Sequence, residues 1–222
     1  MERTREFNKK LKQLTIIEAA RELFLTKRYN SITMDEIAKL AGITKKTLYT
    51  YFPSKLSVYI KLFEDYLNQL RSELAKIPSQ NLPPGQGILA SFEVLYKFTK
   101  KNVRFMRLYW EMNSEDFDGI IPEELITSIN TGGREILKEG QASIIRAHEK
   151  GYFLQYDPGL LWHIISSINK GIFIHTDKER KFRVSNIDSD DLYKEFVKLL
   201  KQGFNIKEVG SLDSVKAPVG KN

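Results

Sequence analysis

The residues best suited to chemistry lie in one short run, Thr44-Lys45-Lys46-Thr47-Leu48-Tyr49-Thr50-Tyr51-Phe52. Leu48 and Phe52 are four apart. On a helix they share a face, and burying them leaves Lys45, Lys46, Tyr49 and Thr50 on the other side. A helix of this kind fits the major groove of DNA, with residues near its N-terminus at the base edges. Lysine donates to guanine O6 and N7, and threonine offers a hydroxyl and a methyl that suits thymine. Tyr51 and Lys55 flank the helix within reach of phosphates. Thr33, at the start of the preceding helical segment, can add its hydroxyl while that helix N-terminus points at the backbone. Lys45 and Lys46 could each be solvated surface, but on this helix they read as groove contacts. Phe52 reads as core, and Tyr49 as a packed ring with its hydroxyl outward.

No comparable grouping supports catalysis. His148, His163 and His175 are too far apart for a metal-ligand pattern, and the chain has no cysteine. There is no G-x-S-x-G elbow. The segment Gly85 to Ala90 touches on a dinucleotide fingerprint but follows Pro83-Pro84 rather than a strand, so it reads as linker punctuation. The expectation is no catalytic residue, no metal, no cofactor and no enzyme.

The elements that must position the run are helical. Ile16, Ile17, Ala20, Leu23 and Phe24 repeat at three and four residues. Met34 to Leu40 forms a second helix, opened by Thr33 and Glu36 in a capping-box pattern and closed by Gly42. Thr44 caps a third, Lys45 to Phe52, which Pro53 and Ser54 stop. Two short helices joined by a glycine-containing turn, inside a three-helix apolar cluster, make a helix-turn-helix unit. Lys55 to Ile77 is a long amphipathic helix with Val58, Leu62, Tyr66 and Leu70 on one stripe. Pro78 to Gly87 reads as a linker. Helices resume near Ile88–Asn102, Val103–Met112, Pro122–Lys150, Gly159–Thr176 and Asp188–Gln202. Pro122 suits a first helical position, and Gly132-Gly133 is a candidate bend. The polar tail from Lys207 reads as disordered.

The formal charge of +7 is unevenly placed. Residues 1–60 hold twelve Lys/Arg against six Asp/Glu, a net +6, and the remainder carries +1. A basic module joined to a neutral one is what a polyanion-binding protein shows. No apolar stretch is long enough to span a bilayer. The expectation is a cytoplasmic protein that does not engage a membrane.

The stretch from Leu14 to Tyr59 resembles the DNA-binding domain of the TetR (tetracycline-repressor) family. The resemblance rests on Ala20, Phe24, Tyr29, Thr33, Ile37-Ala38, Ala41-Gly42, Thr47-Leu48-Tyr49, Phe52 and Ser54-Lys55. It implies that Lys45, Lys46, Thr47, Tyr49, Thr50 and Tyr51 lie at the groove, and that Thr33, Thr44 and Lys55 hold phosphates. Four positions depart from the pattern. Arg28 stands where the family usually has glycine, Lys46 where it often has a small residue, and Leu56-Ser57 where an acidic pair is common.

The resemblance also implies an all-α architecture. Residues 1–54 would be the helix-turn-helix domain with a basic N-terminal arm, and 55–77 a connecting helix. Residues 78–206 would form a helical regulatory and dimerisation domain, and 207–222 a tail. The last two long helices of the family pack with their symmetry mates as a four-helix bundle. That role carries over to Leu161, Ile165, Ile168, Ile172, Leu192, Phe196 and Leu199. About half of these side chains fit an internal core equally well. The aromatic-rich middle would be the sensor, with Phe92, Tyr96, Phe105, Tyr109, Trp110, Trp162 and His163 as candidate pocket residues, although any one of the aromatics taken alone reads first as core. Phe117 and Phe153 belong to the same aromatic set. The expected partners are a palindromic double-stranded operator, a small and largely apolar effector, and a second copy of the chain. The expected function is a repressor released by that effector. Control by a protein partner or a corepressor is the alternative.

Overall fold

The computed structural model describes residues 2–77, 82–83, 85–111, 121, 123–152, 154–176 and 186–203. Pro122, Phe117, Phe153, half of the Pro78–Gly87 linker and the tail from Lys207 lie outside these residues. The described residues form α1 (Glu2–Thr26), a 3-10 turn (Tyr29–Ser31), α2 (Met34–Leu40), α3 (Lys45–Tyr51), α4 (Lys55–Lys76), α5 (Gln86–Lys101), α6 (Val103–Glu111), α7 (Glu123–Glu149), α8 (Pro158–Thr176) and α9 (Ser189–Gly203). The fold is all-α, with an N-terminal helix-turn-helix unit and a C-terminal helical domain.

Local chemistry sets the short helices. The Thr33 Oγ1 accepts from the Glu36 N–H at 3.2 Å while Glu36 Oε2 accepts from the Thr33 N–H at 2.9 Å, so α2 starts on a complete capping box. Its end is a tight turn. Gly42 takes φ +67°, and the N–H groups of Gly42 and Ile43 return to the carbonyls of Lys39 and Ala38. A side chain is disfavoured at that φ, which is why glycine stands there. The Thr47 N–H donates to Thr44 Oγ1 at 3.1 Å, capping α3. Ser54 and Ser57 make a second reciprocal capping box at the start of α4. Ser57 thus supplies the cap where an acidic residue is common. Arg28 is extended (φ −72°, ψ 145°), so the close of α1 needs no left-handed residue.

Two hydrophobic cores meet along α4. The first joins Ile16, Ala20 and Phe24 of α1, Ile37 and Ala38 of α2, and Leu48 of α3. Val58 through Leu67 of α4 and Phe105 of α6 complete it. The second takes Leu70 and Leu74 of the same helix with Ile88 and Phe92 of α5, Ile144 of α7, Trp162 and Ile165 of α8, and Leu200 of α9. The helix expected only to connect therefore supplies a wall to both units. The seam carries direct bonds. The Tyr59 hydroxyl donates to the Phe105 carbonyl at 2.8 Å, and the Arg104 guanidinium donates to the Thr26 carbonyl in the last turn of α1.

The basic N-terminal arm is helical from Glu2, and Arg3, Arg5, Lys9, Lys10 and Lys12 are exposed along it. One expectation is corrected here: helix α7 runs unbroken through Gly132-Gly133, because its packing along α4 outweighs the low propensity of two glycines. Further along, Gly140 is buried against Trp162. A Cβ there would lie 2.3 Å from the indole ring, so the α7–α8 approach requires glycine.

Candidate nucleic-acid interface

Helix α3 is anchored by Leu48, which is fully buried, and by Phe52 just past its end. The opposite face presents Lys45, Lys46, Tyr49 and Thr50, all exposed, with Thr47 and Tyr51 half-buried. These positions match the division expected from the four-residue spacing. Tyr49 is 45 % exposed, partly covered and partly in solvent. Tyr51 does pack, resting on the first core.

The hydroxyl groups of the helix are already arranged. Thr44 Oγ1 and Thr47 Oγ1 lie 2.9 Å apart, and Thr50 donates to the Thr47 carbonyl at 2.6 Å. Thr50 therefore offers lone pairs and a methyl group outward rather than a free proton. Lys45 reaches back across the turn. Its ammonium lies 2.9–3.0 Å from the two carboxylate oxygens of Asp35 on α2. The hydrogen bond to Asp35, followed by its charge, holds the lysine's pKa above the ordinary value. Lys46 extends from the same turn, exposed.

Lys55 occupies a different position from the one its expected phosphate role suggests. Its ammonium donates to the carbonyls of Tyr29 and Ile32 at 2.6 and 2.8 Å and sits 4.1 Å over the Tyr29 ring. Burial lowers its pKa, partly opposed by the charge of Glu36. Two of its three protons are thus committed to locking the 3-10 turn onto α4, and one is left for an outside acceptor. Tyr29 is itself fixed by Phe24, whose ring centroid is 5.9 Å away, and by Tyr59 at 6.0 Å. Glu36, besides capping α2, accepts from Lys27 at 2.7 Å, and this bond is the largest cause of a carboxyl pKa brought down to about 2.

Sequence reasoning missed Asp35 and gave Tyr29 no role. The Asp35–Lys45 pair spans ten residues across a turn, and no helical periodicity joins positions on two different helices.

The expected pocket and dimer residues are placed differently. Phe105 and Tyr109 belong with the first core, stacking with Tyr59 and Phe63 at 4.7 and 4.4 Å. Phe92, Tyr96 and Trp162 are buried in the second core, with Trp110 half-buried against it, while His163 is exposed. Phe92 and Tyr96 are filled in by Tyr193, at 5.3 and 4.1 Å. In these positions the large aromatics fill spaces between the helices. Leu161, Ile165 and Ile172, expected at a subunit interface, are 5 %, 0 % and 5 % exposed inside the protomer. Ile168, Leu192 and Phe196 are half-buried against the same core, and Leu199 is exposed. The apolar surface that α8 leaves open is instead Leu160 and Ile164, at 66 % and 53 % exposure, and on α9 Leu199 is 63 % exposed. Helix α8 is apolar on several sides, and its own protomer takes the side with Ile165.

Residues 16–62 match the model of the family described as bacterial regulatory proteins, tetR family. IcaR of Staphylococcus aureus, a negative transcriptional regulator of the icaADBC biofilm operon, is 30 % identical over 143 residues, covering 62 % of this chain and 74 % of IcaR. The transcriptional activator FasR of Mycolicibacterium smegmatis is 30 % identical over 96 residues, and the match covers 43 % of this chain and 44 % of FasR. The chain therefore spans under half the length of FasR and about three quarters of IcaR. The crystal structure of a TetR/AcrR-family regulator from Thermobifida fusca superposes with a TM-score of 0.70 at 22 % identity, over 86 % of this chain and 97 % of that one. Helix-turn-helix geometry, sequence match and whole-chain likeness agree: the chain belongs to the TetR family of bacterial regulatory proteins.

Proposed function

We propose that the protein is a dimeric, sequence-specific DNA-binding regulator of transcription, acting in the cytoplasm as a repressor that a small, largely apolar effector releases from a palindromic operator. The observation that carries this reading is the outer face of α3. Lys45, Lys46, Tyr49 and Thr50 stand exposed on a helix whose inner face is fixed by Leu48 and Phe52. Thr33 and Thr44 extend the surface at two helix N-termini, where partial positive charge favours phosphate. Lys55 adds its one remaining proton at the edge.

A single unit of this kind binds weakly, and a two-fold pair gains affinity by placing two recognition helices about 34–36 Å apart, one turn of DNA. Leu160, Ile164 and Leu199 supply an exposed apolar surface suited to that pairing. Among the described residues no helix is long and apolar enough to cross a membrane, and no group of His, Cys, Asp or Glu can hold a metal.

The test is selection from random-sequence duplexes by the purified protein at low salt, repeated with Lys45→Ala/Lys46→Ala. Enrichment of a palindrome that the double variant fails to enrich supports the reading. Equal enrichment by both proteins removes α3 as the reader.

A further inference from the structure

Buried polar groups are normally hydrogen-bonded, and the exceptions call for a cause. Tyr66 of α4 and Asn169 of α8 are each 4 % exposed, yet the Tyr66 hydroxyl and the Asn169 Oδ1 have no partner. Between them stands Thr99 of α5, 2 % exposed, whose Oγ1 accepts from Asn169 Nδ2 at 3.0 Å. Thr99 lies close enough to the Tyr66 phenol to oppose in part the rise in pKa that burial causes. Three neutral polar side chains from three helices therefore meet inside the protein, with two of their atoms unsatisfied. Rotating the Asn169 amide by half a turn only exchanges an unpaired acceptor for an unpaired donor.

The location matters. Tyr66 belongs to the first core, with Phe98 at 4.6 Å, and Phe98 packs against both cores. Beside Tyr66 lies a cavity of about 10 Å³ lined by Arg21, Leu25, Leu62, Asn102 and Phe105, room for about one water. Anything larger must part α4 from α1 and α6, the contact on which the orientation of the DNA-binding unit depends.

We propose that Tyr66, Thr99 and Asn169 form the polar end of the effector site, and that the effector is an uncharged molecule with an apolar body and a hydroxyl or carboxamide end. This deepens the regulator reading and rests on it for the effect on DNA. The chemistry follows from the unpaired atoms. The Tyr66 hydroxyl can donate and Asn169 Oδ1 can accept, and a hydroxyl or a carboxamide carries both an acceptor and a donor to meet them. A carboxylate has no proton for Asn169 and would bring a charge among three neutral groups. Arg21, the cation on the cavity wall, is already shared between Glu18 at 3.4 Å and Asp65 at 3.7 Å.

The experiment titrates the full-length protein with 1-octanol, octanamide and octanoate. It reads Tm and retention on a random-sequence duplex, for wild type, Tyr66→Phe and Asn169→Leu. Octanol and octanamide are expected to raise the wild-type Tm at concentrations at least about tenfold below those needed for octanoate, because a site built to hydrogen-bond a group rejects the analogue that cannot. Both variants lose that preference. Tyr66→Phe without probe is expected to raise Tm by about 2–6 °C, because it deletes an unsatisfied buried hydroxyl and keeps the ring. A fall in the Tyr66→Phe Tm would mean the hydroxyl is already satisfied, by a single water for instance, and would overturn the proposal. So would an equal response to all three probes, or none. The thermal readout decides the site by itself. A wild type that retains no duplex counts against the regulator reading alone.

Discussion

Asp35 is expected to restrain DNA binding, and Asp35→Asn isolates the effect. In the free protein the Lys45 ammonium lies 2.9 Å from the Asp35 carboxylate. A phosphate or base edge must compete with that partner, so Lys45 enters the interface partly neutralised. The asparagine substitution keeps the size of the side chain and removes the charge. Each additional effective cation steepens the dependence of log K on log salt by about 0.9, so a dimer gains about 1.8 in slope. Relative to 1 M salt, a slope of 0.9 corresponds to about eightfold tighter binding per protomer at about 0.1 M. That is an upper bound, because some sharing of Lys45 between Asp35 and DNA is expected in the wild type. Fluorescence anisotropy on a labelled random-sequence duplex, read across a salt series, measures both slope and affinity. Loss of any acidic group near DNA raises affinity somewhat, so the same substitution is made in a Lys45→Ala background. If Asp35 acts through Lys45, most of the gain in slope disappears there. An equal gain in both backgrounds, or an unchanged slope in the first, refutes the idea that the carboxylate masks this lysine.

Three further outcomes are expected. Gly140→Ala forces a methyl to 2.3 Å from the Trp162 ring, and overpacking of this kind costs about 1–3 kcal/mol, so Tm falls by several degrees in differential scanning calorimetry; an unchanged Tm would show that α7 and α8 separate freely. Glu36, with a folded pKa of about 2 against an ordinary 4.5, contributes stability that is complete above about pH 4.5 and is lost as pH falls toward 2. Glu36→Gln keeps an acceptor for the Thr33 N–H but loses the charge that meets Lys27, so its acid-unfolding limb between those values is shallower than the wild type's. Ile164→Glu is expected to leave helicity intact and yield a monomer in sedimentation, whereas Ile165→Glu buries an unpaired charge and unfolds the chain; a folded monomer from Ile165→Glu would move the subunit interface back to the inner face of α8.

The DNA-binding unit is legible in the sequence because its signals are local. Thr33 and Glu36 specify a cap three residues apart, Gly42 a turn that only one residue type enters easily, and Leu48 with Phe52 a face. Each is settled within a few residues, and the structure carries every one. The regulatory half depends on choices that no single stretch encodes. On α8 the residues from Leu160 to Phe173 are apolar on more than one side, so periodicity identifies surfaces that need partners without saying which partner is intramolecular. Ile165 goes to the protomer's own core and Ile164 to solvent, although the two are adjacent and chemically identical. The aromatic set misleads in the same way, because a large ring fills a core and lines a pocket with equal ease. What distinguishes the two is whether a buried polar atom is left without a partner, a property of three helices at once. Tyr66, Thr99 and Asn169 lie on α4, α5 and α8, and nothing in their spacing announces that they meet. Helix α4 carries an amphipathic stripe legible in the sequence, yet the same stripe serves two cores in succession, Val58 to Leu67 in one and Leu70 to Ile77 in the other. A rigid helix shared in this way cannot be displaced at Tyr66 without moving Phe63 and Tyr59, about one and two turns back on the same helix and packed beneath the recognition unit. An effector that fills the polar seam, as proposed, would therefore act on DNA affinity through α4.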